Sequence, residues 1–250
     1  MKVYLISKNT LEDGMSKFLR DRDLFWTHDH DVCAPELVVE AAGRVCYMSF
    51  GDKQYRKATS EYISNILYQG HDSVLEHASF TILVDGLTRA LSHQLVRHRI
   101  GFAYSQLSQQ YHDESDAEFA QPHGLDEDPE LKEQWLQWCA ATRAMHDSFL
   151  SANLKKTSLA YLNAKEQQRY SRSMARSVLP NATCTTMMIT GNARAWRHLI
   201  SIRGDIAGDI EMREYCISIY KLLFDVAPSL FSGFEILEDG LGRYVRAISQ

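Results

Sequence analysis

Between Asp85 and Leu87 the chain changes its hydrophobic period, and that switch decides the fold class. Upstream, Ser79-Phe80-Thr81-Ile82-Leu83-Val84-Asp85 is rich in β-branched and aromatic residues, so a strand is predicted there, closed by Gly86. Downstream, Leu87, Leu91, Leu95 and His98 fall on one side of a helix, with Gln94 and Arg97 close by. The helix is expected to run into Arg97-His98-Arg99 and to break at Gly101.

The same strand-to-helix step recurs later. Thr183 to Thr190 reads as a strand of β-branched residues and methionine, and Asn192 stands where a cap belongs before a helix over Ala193 to Arg203. Further helices are predicted from Ala34 to Cys46, Ser60 to Gln69, Leu131 to Leu150, Lys156 to Arg176 and Ile210 to Phe224. Val3 to Ile6 reads as a first strand, whereas Asn9 to His30 is polar and without clean periodicity. Asp116 to Pro129, acidic and carrying Pro122 and Pro129, reads as an exposed loop. The expected architecture is α+β and helix-rich, with a few central strands in one domain covering 1–250.

Composition removes several function classes. A formal charge of -5 lacks the global attraction of a dedicated duplex-DNA or acidic-membrane binder, so neither nucleic acid nor membrane is an expected partner. The five cysteines form no CxxC pair, which argues against a disulfide framework or zinc knuckle and fits a reducing cytoplasm. Cys46 and Cys184 are expected to be small buried hydrophobes. Met1 to Ile6 is too short and too quickly followed by charge for a signal peptide, and no apolar run approaches membrane-spanning length.

Chemistry concentrates between Gln94 and Tyr111. Two guanidiniums and an imidazole fan out from Arg97-His98-Arg99, and Arg cannot be discharged at neutral pH, so crowding is costly unless an anion joins them. The Tyr104-Ser105-Gln106-Leu107-Ser108-Gln109-Gln110 run adds hydroxyls and amides suited to sugar, phosphate and a base edge. Arg172 and Arg176 share a helical face, and Arg194, Arg197 and Arg203 surround the helix start at Gly191-Asn192, where free N–H groups also favour an anion. Together these residues point to a phosphorylated ligand. Each has a plainer reading: the basic triplet can neutralise a helix dipole, His98 can be a core imidazole, the Gln/Ser run can be a solvated loop, and Trp196 is expected in the core.

His71, Glu76 and His77, with His93 and His98, raise a metal hydrolase, but HExxH spacing is absent and the nearby arginines would repel a cation; no metal is expected. GxSxG, Walker and GxGxxG patterns are also absent.

The residues from about 30 to 225 resemble the flavin-dependent thymidylate synthase family. The resemblance rests on Arg97-His98-Arg99 followed by Ser108-Gln109-Gln110, on His71 to Phe80, on Ala175-Arg176-Ser177-Val178-Leu179-Pro180, and on Gly191 to His198 with Arg203. It implies a helix-rich α+β subunit around a small, mostly antiparallel sheet, in a homotetramer binding FAD at subunit interfaces. It places flavin contacts at His71, Ser73, Arg97, His98, Arg99, Asn192, Arg194 and His198, and uridine nucleotide contacts at Gln94, Arg97, Ser108, Arg176 and Arg203. The implied reaction is C5 methylation of uracil, with methylenetetrahydrofolate supplying carbon and NADPH reducing the flavin. Arg203 is the catalytic candidate, and no cysteine nucleophile is required.

The chain departs from the family pattern in its substrate loop. Eight residues separate Arg99 from Ser108 where the family has one fewer, Gln110 replaces the arginine of Ser-x-Arg, and Gln106 and Ala207 stand where some members have glutamate and histidine. An amide in place of a guanidinium removes a charge and a bidentate phosphate fork. Gln106 and Gln110 therefore join the substrate-binding candidates, and the pattern is similar to family variants of nucleoside-antibiotic biosynthesis that methylate UMP. The expectation leans to UMP with dUMP also accepted. Strict dUMP specificity, a catalytically silent flavoprotein and an RNA-binding module are the alternatives.

Overall fold

The computed structural model describes residues 1–154 and 159–248. It contains eight α-helices and six strands among those residues: β1 (Lys2–Lys8), α1 (Gly14–Asp21), α2 (Ala34–Tyr47), α3 (Thr59–Tyr68), β2 (Ser79–Thr88), α4 (Arg89–Leu95), β3 (Phe102–Gln106), α5 (Pro129–Leu154), α6 (Ala164–Ala175), β4 (Cys184–Asn192), α7 (Ala193–Arg203), α8 (Ile210–Val226), β5 (Phe234–Asp239) and β6 (Gly242–Ala247). Four strands form one sheet in the order β1-β2-β4-β3, and β5 and β6 form an antiparallel hairpin. The fold is the expected mixed α+β with small antiparallel sheets. No described helix is long and apolar enough to cross a membrane.

The chain divides into two compact units. The first comprises Met1, Asp85–Arg97 and Ser105–Met187; the second comprises Lys2–Val84, His98–Tyr104 and the chain from Met188 onward. In the second unit α8 turns Met212, Tyr215, Cys216, Ile219 and Leu223 inward at helical spacing, and α7 buries Trp196, Leu199 and Ile200. Phe80 meets Phe231 edge-on at 5.6 Å between centroids, inside a core with Val39, Ile63 and Leu75. The hairpin pairs Phe234 with Ala247 through Asp239 with Gly242. In the first unit α5 packs with α6, and α4 buries Leu91, Ser92 and Leu95.

Local chemistry sets the boundaries and accounts for the differences from expectation. β2 runs through Gly86 (φ +77°) to Thr88, and the Thr88 hydroxyl accepts from Leu91 N–H at 3.0 Å, so α4 begins at Arg89 and Leu87 belongs to the strand. α4 ends at Leu95, which leaves Arg97 to Arg99 beyond the helix, in a turn that passes through Gly101 at φ +76°. α6 starts at Ala164 rather than Lys156, because Asn163 and Glu166 form a reciprocal capping box; residues 155–158 lie outside those described. α5 extends from Pro129, a residue suited to the first helical turn, to Leu154. β4 continues past Thr190 to Asn192, which caps α7 directly. Helix α1, strand β3 and the β5–β6 hairpin had no counterpart in the sequence reading.

Candidate functional site

In the second unit, a cavity of about 680 Å³ opens beside α2 and α3, lined by His71, Ser73 and Arg194 together with Lys53, Arg56 and Tyr62. Gly70, at φ +67°, turns the chain out of α3, and His71 N–H donates to the Ile66 carbonyl at 3.0 Å; Ser73 follows in the short turn Asp72–His77. Arg194 occupies the first turn of α7 and donates to Glu76 at 2.6 Å. A second cavity of about 380 Å³ is also lined by Arg194 and adds His198, one helical turn further along α7.

Asn192 is committed to structure through its oxygen, which accepts from Ala195 N–H at 2.8 Å. Its side chain also lies where a Cβ on Gly101 would approach within 2.8 Å, so Gly101 is needed for close approach as well as for backbone conformation. Arg203 lies at the far end of α7. Its Nε donates to His98 Nε2 at 3.3 Å, which requires a neutral imidazole with that nitrogen unprotonated. Burial, and then the charges of Arg203 and His198, hold the His98 pKa below 6.5, in agreement with that role. Tyr104 hydroxyl donates to the His98 carbonyl at 2.7 Å, and burial raises the Tyr104 pKa. Arg99 is exposed.

Of the nucleotide candidates, Gln94, Arg97, Gln106, Ser108, Gln110 and Arg176 lie in the first unit and Arg203 in the second. Gln94 lies on α4, and Arg97 N–H donates to its carbonyl at 3.2 Å, so the expected closeness of these two residues survives the early end of the helix. Gln106 Nε2 donates to Ser92 hydroxyl at 2.9 Å. Ser108 hydroxyl accepts from Gln110 N–H at 3.3 Å, and Gln110 Nε2 donates to Ser173 hydroxyl at 2.9 Å. Arg176 is exposed just beyond α6.

Several expectations require correction. The arginines of α7 do not all surround its start: Arg203 is in its last turn, and Arg197 donates to the Leu230 and Ser232 carbonyls at 2.7 and 2.8 Å while lying over Phe234. Arg197 is therefore a structural tie. Nor are the basic residues free of acidic partners, since Arg194 pairs with Glu76, and Arg172 lies 4.0 Å from Asp113. Arg172 lies in the last turn of α6, and Arg176 begins the short 3-10 turn Arg176–Val178 that directly continues it, so the helix tightens between them. Cys46 is exposed and Cys184 half-buried rather than fully buried. Trp196 is in the core, as expected, where its ring meets Phe102 edge-on at 4.9 Å.

Sequence reasoning missed Arg44, Tyr62, Lys53 and Arg56 at the larger cavity. Arg44 is buried, donates to Glu40 at 2.6 Å and to the Ser49 and Arg56 carbonyls at 3.0 and 2.7 Å, and lies 4.4 Å from the Tyr62 ring centre. It holds the wall in place. The available signal was the Glu40-to-Arg44 spacing inside an apolar helix. Arg89 was also missed: it donates to the Leu107 carbonyl at 2.8 Å, and burial lowers its pKa. Among the described residues, no group of three or more His, Cys, Asp or Glu side chains is placed to hold a metal.

The larger cavity brings Lys53, Arg56, Arg194 and tyrosine rings together, a donor set that suits an anionic ligand with planar groups. Residues 30–229 match the family model described as thymidylate synthase complementing protein. The chain is similar to proteins named flavin-dependent thymidylate synthase: that of Mycobacterium avium (strain 104) is 41% identical over 243 residues, covering 96% of this chain and 93% of the relative. That of Mycolicibacterium gilvum (strain PYR-GCK) is 42% identical over 246 residues with the same coverage. The chain belongs to the flavin-dependent thymidylate synthase family.

Proposed function

We propose that the protein is an FAD-dependent synthase that methylates C5 of a uridine 5'-monophosphate, taking carbon from methylenetetrahydrofolate and reducing equivalents from NADPH. The observation that carries this reading is that His71, Ser73 and Arg194, each assigned to the flavin from sequence, line one cavity of about 680 Å³. Its donor set suits a dinucleotide: Lys53, Arg56 and Arg194 for phosphate, Ser73 and Asn65 for hydroxyl and amide edges, and tyrosine rings for the planar parts. Bound FAD would supply the redox step, for which no protein side chain is equipped.

The chain's own residues then bind and stabilise. Arg203 uses Nε to meet neutral His98, leaving its terminal nitrogens to face the negative charge that develops on uracil carbonyls as C5 attacks. Arg97 and Arg176, both exposed, bind phosphate, while Gln94, Gln106 and Ser108 offer amide and hydroxyl groups to the sugar and base. With Gln110 Nε2 on Ser173, its Oε1 is the atom able to accept from a ribose 2'-OH, which keeps the preference leaning to UMP over dUMP. Cysteine takes no nucleophilic part; burial raises the Cys33 thiol to about 11 and the Cys139 and Cys216 thiols above their ordinary value.

The chain is proposed to act as one catalytic domain over 1–250 in a cytoplasmic homotetramer. At the cavity, Tyr47 and Tyr55 are 68% and 92% exposed, and Ile100 elsewhere in the same unit is 93% exposed; such surface suits cover by another subunit. Light scattering of the purified protein should give the tetramer mass. A flavin absorption spectrum should appear on purification or after adding FAD, and UMP or dUMP should perturb it. Comparison of kcat/KM for the two nucleotides under identical folate and reductant should favour UMP; a large preference for dUMP overturns the ribose assignment, and a protein that refuses FAD overturns the function.

A further inference from the structure

Leu107 to Tyr111 is an irregular segment, yet it is held from three elements of the first unit. Leu107 N–H donates to the Thr186 carbonyl of β4 at 2.9 Å, and Leu107 carbonyl accepts from Arg89 of α4 at 2.8 Å. Tyr111 carbonyl accepts from Arg172 of α6 at 2.7 Å. Between these backbone ties, the Gln110 side chain is held by the 2.9 Å bond from its Nε2 to the Ser173 hydroxyl of α6. The backbone N–H of Gln110 donates to the Ser108 hydroxyl at 3.3 Å, so the placing of the Gln110 backbone, which Ser173 tethers through the side chain, bears on Ser108. The Ser108 carbonyl in turn accepts from Tyr111 and His112 N–H groups at 3.2 and 2.8 Å.

We propose that Ser173 is a positioning residue for the uridine nucleotide, acting by holding the Gln110 side-chain amide and so tethering the backbone whose N–H meets the Ser108 hydroxyl. The inference rests on the proposed assignment of Ser108 and Gln110 to the substrate. A glutamine side chain turns easily about its Cγ–Cδ bond, and an ordered partner on its nitrogen decides which way its oxygen faces. Ser173 supplies that partner from a helix begun by a capping box, so the support is rigid. Ser173 is distinct from the arginine-based machinery because it offers no charge and acts on the substrate only through Gln110.

The test uses the FAD-loaded full chain with Ser173→Ala, Ser173→Thr, Gln110→Ala and the double alanine variant. Ser173→Ala should raise the nucleotide KM roughly 3- to 10-fold with kcat within about twofold, the scale of one lost hydrogen bond. Ser173→Thr, which keeps the acceptor, should restore KM, and adding Ser173→Ala to Gln110→Ala should change KM no further. Amide hydrogen exchange at Tyr111 and His112 should quicken in Ser173→Ala. An unchanged KM in a folded Ser173→Ala protein, or additive effects in the double variant, overturns the proposal. If neither parent nor variants methylate UMP or dUMP, the functional reading fails; faster exchange in Ser173→Ala would still support the loop clamp, and unchanged exchange would overturn it separately.

Discussion

Two groups of candidate residues, one in each unit, are prepared in opposite ways. In the second, His71, Ser73, Arg194 and His198 are exposed around open cavities, and the one ion pair among them, Arg194 with Glu76, is on the surface. In the first, Gln106, Ser108 and Gln110 are half-buried and bonded to one another or to neighbouring helices before any ligand arrives. A surface ion pair is cheap to rearrange, whereas a hydrogen-bonded loop has lost its freedom already. On the proposed function, the second unit would accept a large cofactor at its open cavities, and the Gln106 to Gln110 loop of the first would present preset polar atoms to a small substrate.

The sharpest break would come from Arg203. Arg203→Ala should lower kcat by about 100- to 1000-fold, as expected on losing a donor to transition-state charge, while flavin absorption is retained. Next, Arg194→Ala should weaken FAD affinity by roughly 10- to 100-fold in an equilibrium titration, the scale of a charge-assisted bond to phosphate. Gln106→Ala should instead leave FAD affinity unchanged and raise the nucleotide KM about 3- to 10-fold. If Gln106→Ala releases flavin, the contrast between the units is wrong.

His98 supplies a pH-dependent refinement. Its pKa is lowered below 6.5, so the native state favours the neutral ring and the unfolded state binds the proton first. The associated stability is fully present above pH 6.5 and declines as pH falls through the lowered native value. The same protonation removes the acceptor from Arg203, so a profile of kcat/KM should show an acidic limb, which His98→Gln, retaining an acceptor that does not titrate, should flatten. The smallest effect is expected from Cys184→Ala, with turnover and melting temperature nearly unchanged, since the proposed chemistry uses no cysteine nucleophile.

Much of this arrangement was legible where pattern and cap agree. β2 into α4 and β4 into α7 announce themselves by a change of period, and Thr88 and Asn192 then cap the helices with their own side chains. The hairpin was hidden because Phe234 to Asp239 has mostly half-exposed positions, so no buried run marks it. Helix α1 was hidden for a similar reason, burying only Leu19. Among site residues, Arg194 and Arg197 look alike in sequence and both border the smaller cavity, yet Arg194 also lines the larger one while Arg197 is spent on the Leu230 and Ser232 carbonyls. That difference depends on the chain 33 and 35 residues away, which local spacing does not encode.

The most direct measurement is transfer of isotopically labelled carbon from methylenetetrahydrofolate to UMP and dUMP by the FAD-loaded protein with NADPH, read by mass spectrometry of the nucleotide. Labelled 5-methyl product, formed about 100- to 1000-fold more slowly when Arg203 is replaced by alanine, is the result predicted. Tightly bound FAD with no labelled nucleotide from either substrate would contradict the assignment.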